Sequence, residues 1–231
     1  MSKKVKNNAE NRTKNRYQTI EYATQYKKDY TLDNTFKGFR SRIIAYREIK
    51  IVKYFLNKIV NNNMKILDLP CGTGKLGATF SNYPIHVIAG DVSKSMLELA
   101  KDEYNNEKID FKIMDALNIP YDDNYFDTIV CLRLFQRIPA DTRLRILSEF
   151  RRTSKRNLII SYSFISIWQK IRFKIKKILV KDFNFFYSDK LKEIELELEE
   201  SGFEILSKKF VLSFLSSEII FLSKKKNNYN A

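Results

Sequence analysis

The stretch Met64–Phe80, MKILDLPCGTGKLGATF, limits the fold more than any other part of the chain. An apolar run closes on an acid, Asp68, breaks into a turn holding Gly72 and Gly74, and passes into a helix-like pattern at Lys75. In an open parallel sheet, ligands collect at the carboxyl ends of the strands, and the turn after the first strand is one wall of that crevice. Glycine removes the side chain where backbone must approach a ligand or take positive φ. The amides that open the next helix then face whatever is bound.

The remainder of the chain supplies the rest of such a sheet. Tyr17–Val60 has a helical pattern, with Ile43, Ile44, Arg47, Ile51, Tyr54 and Phe55 at three- and four-residue steps, and NNN at 61–63 ends it. Strands are then predicted over Lys65–Leu69, Ile85–Ala89, Asp110–Met114, Asp127–Leu132 and Asn157–Tyr162. Helices are predicted between them over Lys75–Ser81, Lys94–Tyr104 and Asp141–Thr153. This alternation indicates an α/β fold, a parallel sheet with helices on both faces. Asp189–Ser201 reads as a helix capped by Gly202, and FEILSKKFVL and EIIFL read as two closing strands.

At 231 residues, 44% of them hydrophobic, the chain is large enough for a substantial core. Its two cysteines, Cys71 and Cys131, fall in a buried turn and a strand, which argues against a secreted disulfide scaffold and for a reducing cytoplasm. No signal-peptide core and no bilayer-length apolar run is read. The net charge of +15 has two readings, a field for phosphate-bearing partners or compositional drift in a chain rich in Lys, Asn, Ile, Tyr and Phe.

Three ligand classes use a glycine turn of this kind. A P-loop fails at both ends, because Leu69 stands where the first Gly belongs and Leu76 where the magnesium-binding Ser or Thr belongs. A dinucleotide site is matched by Gly72, Gly74 and Gly77, with Asp91 closing the second strand at a distance suited to a ribose contact. The third ligand, S-adenosylmethionine, accounts for more of the surroundings.

Four ordered motifs, LDLPCGTG at 67–74, AGDVSKSML at 89–97, DALNIPYDDNYFD at 115–127 and TIVCLRL at 128–134, resemble those of the class I S-adenosylmethionine-dependent methyltransferases of the small-molecule type. The resemblance implies a Rossmann-like, doubly wound, seven-stranded, mostly parallel sheet with helices on both faces, its last strand antiparallel, and an N-terminal helical cap. The expected organisation is a flexible basic arm over 1–16, the cap over 17–63, the methyltransferase domain over 64–223 with a basic amphipathic insertion at 164–187, and a polar basic tail over 224–231.

The cofactor roles implied run along the strand ends. Asp68 is suited to the amino group of the methionine part, while Gly72 and Gly74, with Pro70 and Cys71 in the same turn, pass beside its sugar and methionine moieties. Asp91 is placed to accept both ribose hydroxyls in charge-assisted bonds. Val92 and Met96 would lie against the adenine, Asp115 would accept its exocyclic amine, and the Ala116 amide would bond the ring. Leu132 and Arg133 follow strand four beside the departing methyl group. Each acid also has a plain structural reading: Asp91 as a strand end before the Ser93 cap, Asp115 as a turn residue. The family pattern has Gly where Pro70 stands, which removes an amide and stiffens the turn.

The expected chemistry is transfer of a methyl in line with the S–CH3 bond, with the acceptor aligned and water excluded. No catalytic residue and no metal ligand is assigned. The sole histidine, His86, falls about five residues before Asp91, ~16 Å from the carboxyl end of its strand. Phe135 and Gln136 stand where many relatives have a His pair, and Tyr162, Tyr26 and Tyr30 remain as candidate bases. The acceptor is expected to be a small molecule or lipid-like. In 164–187, Phe164, Trp168, Ile171, Ile175 and Ile178 form one helical stripe and Lys170, Lys174, Lys177 and Lys181 another, a pattern for a lid or for peripheral contact with an anionic membrane. No nucleic-acid module is visible. The alternatives are a noncatalytic S-adenosylmethionine-binding partner subunit and an NAD-dependent oxidoreductase.

Overall fold

A computed structural model describes residues 19–31, 36–104, 109–165, 189–212 and 216–227. The arm at 1–16 and nearly all of the amphipathic insertion lie outside them.

Among the described residues two helices come first, α1 (Ile20–Thr31) and α2 (Phe36–Ile59). The alternating section follows as β1 (Lys65–Asp68), α3 (Gly77–Phe80), β2 (His86–Asp91), α4 (Lys94–Lys101), β3 (Ile109–Ile113), β4 (Phe126–Cys131), α5 (Ala140–Thr153) and β5 (Ser154–Ser163). The chain then forms α6 (Leu191–Glu200), β6 (Phe203–Phe210) and β7 (Glu218–Lys225). Ser93 caps α4, its hydroxyl accepting from the Met96 amide at 3.2 Å.

The seven strands form one sheet in the order β3-β2-β1-β4-β5-β7-β6. β1 to β5 are mutually parallel, whereas β7 runs antiparallel to both β5 and β6 and lies between them. The expected antiparallel last strand is present, inside the sheet and not at its edge. It runs through Lys225, two residues into the stretch read as a tail.

Alternating strand residues divide the core into two layers. Leu67, Ile129, Leu158 and Ile160 face Ile146, Leu147 and Phe150 of α5 and Leu198 of α6. Ile66, Val130 and Ile159 point the other way, against Ile51, Val52, Phe55 and Leu56 of α2 and Leu97 of α4. The period of two along each strand sends neighbours to opposite faces, and each large side chain so buried contributes about 1.5–3 kcal/mol. The second half of α2, read as part of a cap, is therefore a layer of the sheet domain. Among the described residues, no helix is long and apolar enough to cross a membrane.

One predicted element is shorter than expected. The helix at Lys75–Ser81 is a single turn, Gly77–Phe80, because Gly74 sits at φ +85° and residues 72–76 form successive turns.

Candidate active site

The register of the central strands sets Asp68 beside Ala89 and Val130, and Asp91 beside Ile113. The acids Asp68, Asp91 and Asp115 thereby reach one edge of the sheet, where all three line the same cavity. Pro70, Cys71, Gly72, Val92, Met96, Ala116, Leu132 and Arg133 line it as well. Of the residues expected to bind cofactor, Gly74 alone does not.

Gly72 and Gly74 have different jobs. A Cβ on Gly72, at φ +55°, would meet nothing within 4 Å, so its backbone is open to the cavity. A Cβ on Gly74 would come within 2.9 Å of the Ala100 carbonyl oxygen, and one on Gly77 within 2.5 Å of the Glu103 carbonyl oxygen. These two glycines let the turn pack on the end of α4. The turn's amides are also spent internally: Gly72 donates to Asp91 Oδ2 at 3.0 Å, Gly74 to the Cys71 carbonyl at 3.1 Å and Gly77 to the Gly74 carbonyl at 2.9 Å.

Asp91 accepts from Gly72 on one oxygen and from the Ser93 amide, at 2.9 Å, on the other. Burial outweighs these bonds and pushes its carboxyl up to about 6. Asp68 is buried at 2% exposure and accepts from the Tyr104 hydroxyl at 2.5 Å. Burial pushes it up to about 7, against the Tyr104 bond and the Lys75 charge. Asp115 accepts from the Leu117 amide on Oδ1 at 3.1 Å, within a short turn bridging to Asn118. The peptide between Leu69 and Pro70 is cis.

The wall after β4 was only half foreseen. Arg133 adopts a left-handed conformation, φ +60°, fixed by its amide donating to Ser161 Oγ at 2.7 Å. Its Nε donates to Glu48 Oε1 at 2.6 Å, and the Lys75 ammonium donates to the other Glu48 oxygen. Glu48 descends from α2 and is fully buried. Burial alone would raise its pKa, but the Arg133 and Lys75 charges prevail and hold the carboxyl well below the usual range. Glu218, which opens β7, hydrogen-bonds to Glu48 and is pushed up to about 8 by burial and by the Glu48 charge. One of its oxygens, Oε1, is buried without a hydrogen-bond partner among the described residues. Lys75 and Arg133 line the cavity, so this cluster forms one of its ends.

The base candidates fare differently. Tyr162 is fully buried, donates to Glu197 Oε1 at 2.9 Å and packs edge-on against Phe135, so it is a core residue and not a base at the cavity. His86 opens β2 at the opposite end of the strand and is exposed. The side chains of Tyr26 and Tyr30 lie outside the described ones. Sequence reasoning missed Tyr104, Glu48 and Glu218, whose partners are distant in the chain and leave no spacing signal.

The sequence comparisons agree with this geometry. A family model described as a methyltransferase domain matches residues 66–157. A ubiquinone/menaquinone biosynthesis C-methyltransferase of Desulfotalea psychrophila is 34% identical over 93 residues, 39% of this chain and 37% of that protein. Its namesake from Pseudoalteromonas translucida is 32% identical over 112 residues, 45% of each chain. The chain thus spans less than half the length of these curated relatives. Among solved structures, magnesium protoporphyrin IX methyltransferase from Synechocystis with bound SAH (S-adenosylhomocysteine) superposes with a TM-score of 0.80 at 16% identity, covering 94% of this chain and 100% of that one. The four motifs fall inside the segment that the family model matches, residues 66–157, and the seven-stranded sheet has the fold of the class I S-adenosylmethionine-dependent methyltransferases.

Proposed function

We propose that the protein is an S-adenosylmethionine-dependent methyltransferase acting on a small-molecule or lipid-like acceptor. The observation that carries this reading is the convergence of Asp68, Asp91 and Asp115 on one cavity beside the open backbone of Gly72.

The residues fit that cofactor. Asp68 is a buried carboxyl whose burial favours the protonated form, and an ammonium placed beside it would offset that penalty. Lys75 and Arg133 stand on the same cavity and would hold the carboxylate of the methionine end. Asp91 would accept from the ribose hydroxyls, while Val92, Met96, Asp115 and Ala116 would frame the adenine. When bound, S-adenosylmethionine supplies a methyl group made electrophilic by its sulfonium. The protein's work is then to orient the acceptor beside Leu132 and Arg133 and keep water out. A nicotinamide dinucleotide fits less well. Its pyrophosphate needs main-chain donors in the glycine turn, and the amides of Gly72, Gly74 and Gly77 are already taken.

Two similarities support an apolar acceptor: relatives named for ubiquinone and menaquinone biosynthesis, and a structural neighbour named for a porphyrin. The reading includes a cytoplasmic site of action and peripheral contact of residues 164–181 with anionic membrane, for which the sequence pattern is the support. Equilibrium binding tests the core of it. S-adenosylhomocysteine should bind the wild type, and Asp91→Ala should abolish binding; binding of NADH in its place would overturn the reading. Transfer of labelled methyl into metabolite and lipid extracts would then identify the acceptor class.

A further inference from the structure

We propose that the outward face of α2 is a docking surface for an anionic lipid bilayer. At 3.6 residues per turn, Phe39, Arg42, Tyr46, Lys50, Lys53 and Tyr54 fall within ~120° of the helix circumference. Three rings on this stripe stand in solvent, Phe39 at 53%, Tyr46 at 61% and Tyr54 at 42% exposure. Cations are laid over the two tyrosines: Lys50 lies 5.7 Å from the Tyr46 ring centre, Lys58 4.6 Å from that of Tyr54, and Lys209 of β6 4.4 Å from the same ring. The sole acid in the α2 sequence, Glu48, points the opposite way and is fully buried. The face therefore presents positive charge and aromatic rings with no acid of its own helix among them.

That combination selects one partner chemistry. A lipid interface takes both halves of the stripe, seating Tyr and Phe rings at headgroup depth while lysines meet anionic headgroups at about fivefold in affinity each. A nucleic acid duplex would reward the cations but leave the exposed rings of a single helix stripe without bases to stack on. The net charge of +15 adds long-range attraction of the same sign. On its inner face α2 carries Glu48, which holds Lys75 and Arg133 on the cavity wall. Docking would keep that wall about one helix diameter, ~10 Å, from the headgroups. The surface stands on its own observations and does not require the cavity to transfer methyl groups.

Co-sedimentation of the full chain with vesicles of phosphatidylcholine, or of phosphatidylcholine doped with phosphatidylglycerol, tests it. Wild type should partition onto the doped vesicles and not the neutral ones, and the pair Lys50→Glu/Lys53→Glu should lower partitioning at least about tenfold. Tyr46→Ser, with no change of charge, should lower it several-fold. Lys101→Glu/Lys192→Glu, an equal charge change at exposed sites on other helices, should leave most of it. Circular dichroism and SAH binding report whether each variant is folded. Indifference of the wild type to phosphatidylglycerol would overturn the inference, as would equal losses in the two charge pairs. So would retention of binding by Lys50→Glu/Lys53→Glu, which would move the contact to another segment, or tighter binding to a DNA duplex than to the doped vesicles.

Discussion

The Tyr104 hydroxyl donates to Asp68 Oδ2 at 2.5 Å across 36 positions of sequence, so the acid at the tip of β1 is held by the chain just beyond α4. Both groups are buried, Asp68 at 2% and Tyr104 at 4% exposure, and the tyrosine ring packs edge-on against Phe111. Tyr104→Phe should keep the ring packing and lose the bond. The expected cost is about 1–2 kcal/mol in denaturant melts, with SAH affinity reduced as Asp68 becomes easier to protonate.

The raised carboxyl of Asp68 fixes the sign of a pH effect. Its folded pKa of about 7 exceeds its ordinary value, so the contribution to stability is complete under acid conditions and is lost as pH rises through 7. Ligand binding has the opposite sense, because an ammonium requires the ionised acid. SAH affinity should increase with pH up to about 7 and level off, and Asp68→Asn should flatten that part of the profile in calorimetric titrations.

Asp91→Asn tests the ribose contact more cleanly than truncation, since an amide oxygen still accepts from one main-chain amide. Charged hydrogen bonds contribute about 1.5–3 kcal/mol, so SAH affinity should fall roughly 10- to 100-fold with a smaller effect on melting.

Glu48 and Glu218 should separate sharply although they touch. Glu48→Gln leaves Arg133 and Lys75 without their buried counter-charge and should cost about 3–5 kcal/mol. Glu218 is protonated near neutral pH, with a folded pKa of about 8, so Glu218→Gln should be mild at pH 7. Wild-type stability should decline as pH passes through 8, and the Glu218 variant should decline less.

The two positive-φ glycines of the loop should also part. Gly74→Ala forces a Cβ against the Ala100 carbonyl and should lower the melting temperature substantially. Gly72→Ala meets no atom, carries only the left-handed penalty of about 1–2 kcal/mol, and should weaken SAH binding more than it weakens the fold.

The strand tips were legible because apolar runs ending on Asp68 and Asp91 encode both a buried strand and a polar terminus. The neighbours of those tips were not. Glu48 lies inside an ordinary helical pattern, and its partners Lys75 and Arg133 come 27 and 85 residues later, so only the folded sheet assembles them. The helix expected over Lys75–Ser81 is reduced to one turn because helical periodicity cannot register that Gly74 and Gly77 are pressed against the end of α4. Tyr162 looked available as a base, but its strand position turns it into the core toward Glu197.

The insertion of β7 between β5 and β6 sets an order of assembly. Of the seven strands, the one that leaves the ribosome last is an interior member, so β6 has no edge to join until residues 218–225 have emerged. The half of the molecule carrying Glu218 should therefore complete itself only after synthesis has passed that point, and nascent chains halted earlier should expose the flank of β5 to chaperones or to one another.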